Sequence, residues 1–352
     1  MKKTILYLGL AAMLLGACAK DPKTGKNEAA KRYLDSWIQL NHPDAKLTPL
    51  GAYILEETPG AGVSAGSYET NPYVLVNCTI ADMSGSVSYT TDEQLSRQLG
   101  TYETQGYYGP VVWNRSEHAL VAGLEESVSA LSVGGTRKVL IPGWLMGADS
   151  RTGLPILYDK AEDYLEKISG GTPYVYTISL AGVIPDILAW EADSVNRYAA
   201  RVFPGTTPRD TLKYGYHYHR TGAPSSTEKF KNDTTIYLNY IGRRLDGAVF
   251  DTNIADTAKF YGIYNASRTY GPVTIKWYGS EGSYANITMS SAGSSSTSTV
   301  VDGFGYALDQ MHPHEQGTAI FISKWGYSSR SNGAALPAFS PLRFDFQIVD
   351  KP

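Results

Sequence analysis

The chain has 352 residues and a net charge of −3, from 31 Lys+Arg against 34 Asp+Glu, which excludes binding to nucleic acid by bulk electrostatics. Glycine (35) and tyrosine (26) are frequent and only 18% of residues are charged, the profile of a β-rich exported protein with many turns. The length after a leader is enough for two ordinary domains.

The first segment reads as a leader. Lys2-Lys3 precedes an apolar run, Ile5 to Leu15, that is short for a membrane span. It ends in Leu15-Gly16-Ala17-Cys18, which resembles a bacterial lipobox, with cleavage before Cys18 and acylation of its thiol; the alternative is a plain secretory signal with an incidental cysteine. Residues 1–17 are thus expected to be a signal peptide and 18–26 a polar tether. The expected location is the cell envelope, lipid-anchored through Cys18. Ala19 rather than Asp after the cysteine points to the outer membrane, with the periplasmic or external face left open. Cys78 is the other cysteine, so a disulfide framework is excluded, and its apolar run marks it as a buried small side chain.

Helical periodicity predicts a leading helix over 27–43 and a linking helix over 185–209, the second with Leu188, Ala192, Val195, Tyr198 and Val202 on one face. A strand follows each, Gly51 to Glu57 and Gly215 to Arg220. The parallel continues. Tyr73-Val74-Leu75-Val76-Asn77 matches Thr235-Ile236-Tyr237-Leu238-Asn239, and Tyr108-Gly109-Pro110-Val111 recurs as Tyr270-Gly271-Pro272-Val273, 162 residues on. Val121-Ala122-Gly123-Leu124 recurs as Val301-Asp302-Gly303-Phe304, and both halves end in an alternating strand, Tyr174–Ile178 and Leu342–Phe346. The same order of elements at similar spacing predicts two copies of one α+β domain, residues 44–184 and 210–352, each an antiparallel sheet curled over a short helix. The second copy carries a long insertion, about 253–299, that includes the Ser/Gly tract 290–299.

Within copy two, Ile236 to Asp251 alternates, breaks at Leu245-Asp246-Gly247 and resumes as Val249-Phe250-Asp251, a hairpin pattern. Such a hairpin brings Tyr240 close to Phe250 and Asp251. Taken alone, this fits an ordinary core hairpin with a surface aspartate as well as a site.

Together with Gly123 to Pro142 in copy one, this order resembles the FKBP-type peptidyl-prolyl cis-trans isomerases in both halves. In copy two the resemblance implies that Tyr240, Phe250 and Phe344 are pocket walls and Asp251 the pocket carboxylate. It further implies that Val300 and Val301 precede the helix, with Val301 offering a backbone N–H. Phe304 would be the floor, Tyr327 a hydroxyl donor to a substrate carbonyl, and Leu336 part of the wall. Copy one departs at these places, with Cys78 for the tyrosine, no Phe-Asp pair in its hairpin, Met146 near the loop tyrosine, Leu124 at the floor and Tyr176 on the last strand. Copy one is therefore expected to be a weak or inactive copy, serving as scaffold or peptide-binding surface.

The implied reaction needs no cofactor and no metal. Rotation about an X–Pro bond crosses a barrier of about 20 kcal/mol set by amide resonance, and no bond breaks. A dry aromatic pocket with fixed donors disfavours the polar planar amide relative to the twisted one. The expected partners are proline-containing polypeptides and a membrane; the rival reading is a non-catalytic chaperone or binding lipoprotein that keeps the fold. His217-x-His219 and His312-Pro313-His314-Glu315 lack spaced companions for a zinc site, and no phosphate loop or Ser-His-Asp motif is present. The two-copy pattern leaves one question for the structure: whether residues 285–299 fill the space between Tyr240, Phe250, Phe304 and Phe344.

Overall fold

A computed structural model describes residues 25–205, 214–279, 284 and 286–352. The leader, Cys18 and the stretch joining the linking helix to copy two, residues 206–213, lie outside the described residues. The first half contains α1 (Glu28–Asn41), β1 (Lys46–Leu47), β2 (Tyr53–Thr58), β3 (Tyr73–Ala81), β4 (Val87–Thr90), α2 (Glu93–Gln98) and β5 (Val111–Asn114). It continues with α3 (Ala122–Ser129), β6 (Thr136–Ile141), α4 (Ala161–Lys167) and β7 (Tyr174–Ile184). After α5 (Ile187–Val202), the second half has β8 (Tyr216–Gly222), β9 (Thr234–Arg244), β10 (Val249–Thr252), α6 (Ala255–Phe260) and β11 (Val273–Trp277). It closes with β12 (Thr288–Ser290), β13 (Ser298–Thr299), α7 (Asp302–Gln310), β14 (Gln316–Phe321) and β15 (Leu342–Val349).

Every strand pairing is antiparallel. One sheet runs β1-β2-β6-β7-β3-β4 with β5 on β3; the other runs β13-β12-β11-β9-β15-β14-β8 with β10 on β9. The register makes the repeat concrete. Cys78 faces Ile178 and Ile80 faces Tyr176 in the first sheet, as Tyr240 faces Phe346 and Gly242 faces Phe344 in the second. Each hairpin carries a bulge at the same place, which puts Ser88 and Tyr89 of copy one in the positions of Phe250 and Asp251.

Each sheet closes over its helix through a glycine. A Cβ on Gly303 would lie 2.6 Å from the Phe321 ring, and one on Gly123 would lie 2.4 Å from Ile141 Cγ2. Only a residue without a side chain lets α3 and α7 approach their strands this closely. The two cores are separate: Val74, Val76, Val128, Leu140 and Ile178 in the first, Leu238, Phe304, Leu308, Phe321 and Phe346 in the second. The linking helix α5 packs on copy two, where Val195, Tyr198 and Ala199 meet Ile320 of β14 and Ile322 just after it.

The stretch expected to be one insertion over 253–299 divides in two. Residues 253–273 have a counterpart in 91–111: both contain a short helix, a stacked tyrosine pair (Tyr102/Tyr108 at 5.3 Å, Tyr264/Tyr270 at 5.1 Å) and a glycine near φ +140°. The offset between copies is 162 residues at Tyr108/Tyr270 and grows to 180 only by Val121/Val301. The surplus of copy two therefore lies between Trp277 and Val301, where Tyr284 and Ile287 are buried in the second core and the residues after them form the edge hairpin β12–β13.

Candidate functional site

The hairpin that carries the candidate site is built by its turn. Gly247 takes φ +95° and donates to Arg244 O (3.0 Å), and the Asp246 carboxylate accepts from Ala248 N (2.9 Å), the chemistry an Asp-Gly turn supplies. The bulge after Val249 then re-aims the next two residues. Phe250 lies over Gly242, whose missing Cβ would be 2.7 Å from the ring, and meets Phe344 edge-on at 5.7 Å. Asp251 accepts a 2.6 Å hydrogen bond from the Tyr240 hydroxyl. Asn253 holds the base of this arrangement: its Oδ1 accepts from Tyr240 N (2.8 Å) and its Nδ2 donates to Leu238 O (2.8 Å).

Arg268 completes the polar group. Its Nη1 donates to Asp251 Oδ1 at 2.5 Å and its Nη2 to the Tyr240 hydroxyl at 3.2 Å. Burial opposes the guanidinium's charge, but the carboxylate and the phenol outweigh it and hold its pKa above the ordinary arginine value. Burial and the adjacent carboxylate raise the Tyr240 phenol, so at neutral pH it stays a donor. Burial likewise raises Tyr327, with Asp251 adding to it. Sequence reasoning missed Arg268, although a signal was present: the repeat aligns it with Gly106, so copy two gains a cation where copy one has none.

The expected site residues separate into two layers. Phe250, Asp251, Tyr327 and Leu336 line a cleft of about 260 Å³. Beneath it, Tyr240 and Phe304 meet edge-on at 5.8 Å, Phe304 and Phe344 at 5.5 Å, and Phe304 and Phe346 at 4.8 Å. All four of these rings are buried, so they fill the space between themselves and form a floor that is already closed. Val300 and Val301 pack on the same core, and the Val301 carbonyl opens α7 by accepting from Phe304 N and Gly305 N at 3.0 and 3.1 Å.

The Ser/Gly tract is not what bounds the cleft. Its described residues pair on the outer edge of the sheet, with Thr288 opposite Thr299, and Ala292 rests beside Gly271. The roof comes instead from copy one, whose Glu103 and Gln105 face Asn332–Leu336 across the opening. Tyr107 N donates to Ala334 O (2.9 Å), and Arg244 Nη1 donates to both Gln105 O (3.1 Å) and Ala335 O (2.7 Å). Arg244, buried and also paired with Asp246 at 2.9 Å, thus pins the two copies together from within the candidate hairpin.

Copy one has the scaffold without the polar group. Cys78 replaces Tyr240 and is buried, its thiol pushed up to about 12 by burial, so it is an inert packing residue. Ile80 stands for Gly242 and Ser88 for Phe250, a volume exchange that removes the phenyl wall the hairpin supplies in copy two. Thr91 keeps the Asn253 role by accepting from Cys78 N at 3.0 Å. Met146 and Tyr176 line a separate open cleft, shared with α4 and the loop after it.

Among the described residues no cluster of three or more His, Cys, Asp or Glu could hold a metal ion, and no helix is long and apolar enough to cross a membrane. No family model and no curated protein matches the chain. Solved structures do. It is similar to the three FKBP domains of wheat FKBP73, at 12% identity over 85% of this chain and 94% of that one, with a TM-score of 0.29. It is similar to a peptidyl-prolyl cis-trans isomerase from Pseudomonas syringae pv. tomato, at 18% identity over 47% and 92%, TM-score 0.30. FkpA from Escherichia coli matches at 18% identity over 52% and 71%, TM-score 0.29. Superpositions this loose carry no argument, and the reading of the site rests on its own geometry.

Proposed function

We propose that the protein is an FKBP-type peptidyl-prolyl cis-trans isomerase whose turnover resides in the C-terminal copy. The observation that carries this reading is the Tyr240–Asp251–Arg268 group set at the edge of an aromatic floor, with the Tyr327 hydroxyl across the same cleft. A cleft of about 260 Å³ is just below the ~300–1,000 Å³ of small-molecule sites and suits one residue with its flanking amides. The prolyl ring would rest between Phe250 and Leu336, over Phe304 and Phe344. Tyr327 would donate to a substrate carbonyl while the apolar wall disfavours the planar amide. Leader and lipobox support placing the protein at the cell envelope through an acyl chain on Cys18, where its substrates would be exported polypeptides. Loss of membrane fractionation in Cys18→Ala tests that part.

The test of turnover uses the full chain and a short proline-containing peptide. Wild type is expected to accelerate isomerisation, and Asp251→Ala with Tyr327→Phe to remove most of it. Equal rates in wild type and double variant would sink the assignment. One observation favours a second reading, a non-catalytic binding module: the roof that Glu103 and Gln105 place over the cleft. Absence of turnover, with retained suppression of aggregation of an unfolded client, would decide for it.

A further inference from the structure

The cleft beside Asp251 does not end at the copy boundary. A second opening of about 520 Å³ lies between copy one's 88–112 region and copy two's 331–338 loop. Both openings are lined by Glu103, Gly333 and Ala334, so they adjoin at a neck formed by these three residues. The larger opening is walled in part by Ser88 and Tyr89, and the smaller by Phe250 and Asp251. These are the same two bulge positions of the two copies. The copies are thus docked with equivalent hairpins lining adjoining openings of the depression between them. The docking is held by the main-chain hydrogen bond from Tyr107 N to Ala334 O and by the Arg244 clamp.

We propose that this depression is one extended polypeptide-binding groove, in which copy two takes the proline and copy one binds the flanking residues of the same chain. The proposal rests on the isomerase reading for the first clause and on the shared lining for the second. The chemistry of the copy-one arm specifies its ligand. It is lined by Ser88, Thr90, Thr101 and Tyr108, whose hydroxyls each already bond within copy one: Ser88 Oγ donates to Ile80 O at 3.3 Å, for example, and Tyr108 Oη accepts from Glu103 N at 2.9 Å. The donor or acceptor capacity each keeps suits the amides of an extended backbone. At the neck stands Glu103, an exposed carboxylate with no ion-pair partner among the described residues. Asp251, by contrast, is neutralised by Arg268 at 2.5 Å. The groove therefore presents one uncompensated negative charge beside the prolyl subsite, and it fits a polypeptide with Lys or Arg flanking the proline. Copy one, short of its own tyrosine and carboxylate, acts as a specificity arm and not merely as a scaffold.

The experiment measures binding and turnover separately on the full chain. Labelled prolyl peptides of about four residues and of about twelve, the latter reaching roughly 40 Å when extended, are compared by fluorescence anisotropy and by isomerisation rate. Each is made with Lys or Glu beside the proline. Wild type is expected to bind the long Lys peptide about tenfold tighter than the short one, and the long Glu peptide several-fold more weakly. Glu103→Lys should reverse the charge preference, and Ser88→Trp, which fills the far arm from an exposed position, should erase the length advantage. Equal affinity for short and long peptides, or a charge preference that survives Glu103→Lys, overturns the groove even if turnover is present. Length- and charge-dependent binding without turnover upholds the groove and defeats the isomerase reading instead.

Discussion

Copies one and two share their strand order, their bulge and their closing glycines, yet they use the same positions for opposite ends. Just after β5 copy one has Arg115, and at the matching end of β11 copy two has Trp277, both buried. Arg115 reaches Glu125 at 2.8 and 2.6 Å and the carbonyls of Ala65, Gly66 and Asn71, so it spends a full guanidinium on fastening a loop. Copy two fills that place with an indole and puts its partly buried guanidinium, Arg268, beside Asp251. The difference teaches that the scaffold tolerates either solution. The Tyr240–Asp251–Arg268 group is then not required by the fold, because copy one folds its equivalent hairpin with Cys78, Tyr89 and Gly106.

The comparison can be broken most forcefully at Arg115. Arg115→Ala leaves Glu125 and three carbonyls without their donor, and is expected to cost about 3–5 kcal/mol in urea unfolding of copy one. A loss under about 1 kcal/mol would show the clamp to be dispensable.

Next in size is a pH effect at the joint between α5 and copy two. Glu191 is buried and accepts from Ser323 N and Oγ at 2.5 and 2.7 Å. Burial, opposed by these bonds, raises its carboxyl from 4.5 to about 7. A carboxyl raised on folding binds its proton more tightly in the native state, so its contribution is present below about pH 4.5 and is lost as pH rises through about 7. The loss is about 3 kcal/mol between those limits. Glu191→Gln should remove that slope, read as the difference between the unfolding free energies of variant and wild type at pH 5 and pH 8; a slope shared by both refutes it.

Turnover sharpens the comparison from the other side. Asp251→Ala in the full chain is expected to slow isomerisation of a prolyl peptide on the order of 10- to 100-fold, leaving Arg268 unpaired. Installing Ser88→Phe and Tyr89→Asp in copy one of that variant should restore nothing. Ile80 stands where Gly242 makes room for the ring, and Gly106 where Arg268 supplies the cation. Rescue by those two changes would mean that two side chains alone define the site.

The smallest effect is expected at the surplus of copy two. Removing residues 292–297 shortens an exposed edge loop and should change stability by under about 0.5 kcal/mol, with short-peptide turnover intact. A rate that rises severalfold would revive the tract as a cover.

Much of this was legible in the residues. The periodicity of Ile187–Val202 and the alternation of Thr234–Arg244 appear as helix and strand, and the Asp246-Gly247 turn sits where its chemistry demands. The Tyr240 to Asp251 contact could be anticipated because it is local: the hairpin pairs Asp251 with Gly242 and so brings Tyr240, two residues along the strand, within side-chain reach. Arg268 was harder to see. It is separated from Asp251 by a helix and a turn, and only alignment with Gly106 marks it. The roof of Glu103 and Gln105 left no sequence signal, since nothing in either copy's pattern encodes how the two dock.

The sequence by itself determined the repeat, the order of elements and which hairpin carries the polar residues, because periodicity, turn chemistry and close-packing glycines act over short distances. Only the tertiary structure decided that the aromatic floor is closed, that the serine-rich tract lies at an outer edge, and that copy one roofs the cleft. The roof depends on contacts between residues more than a hundred positions apart, such as Arg244 with Gln105, and the floor on ring contacts such as Phe304 with Phe346, where side-chain reach and domain docking prevail over local preference.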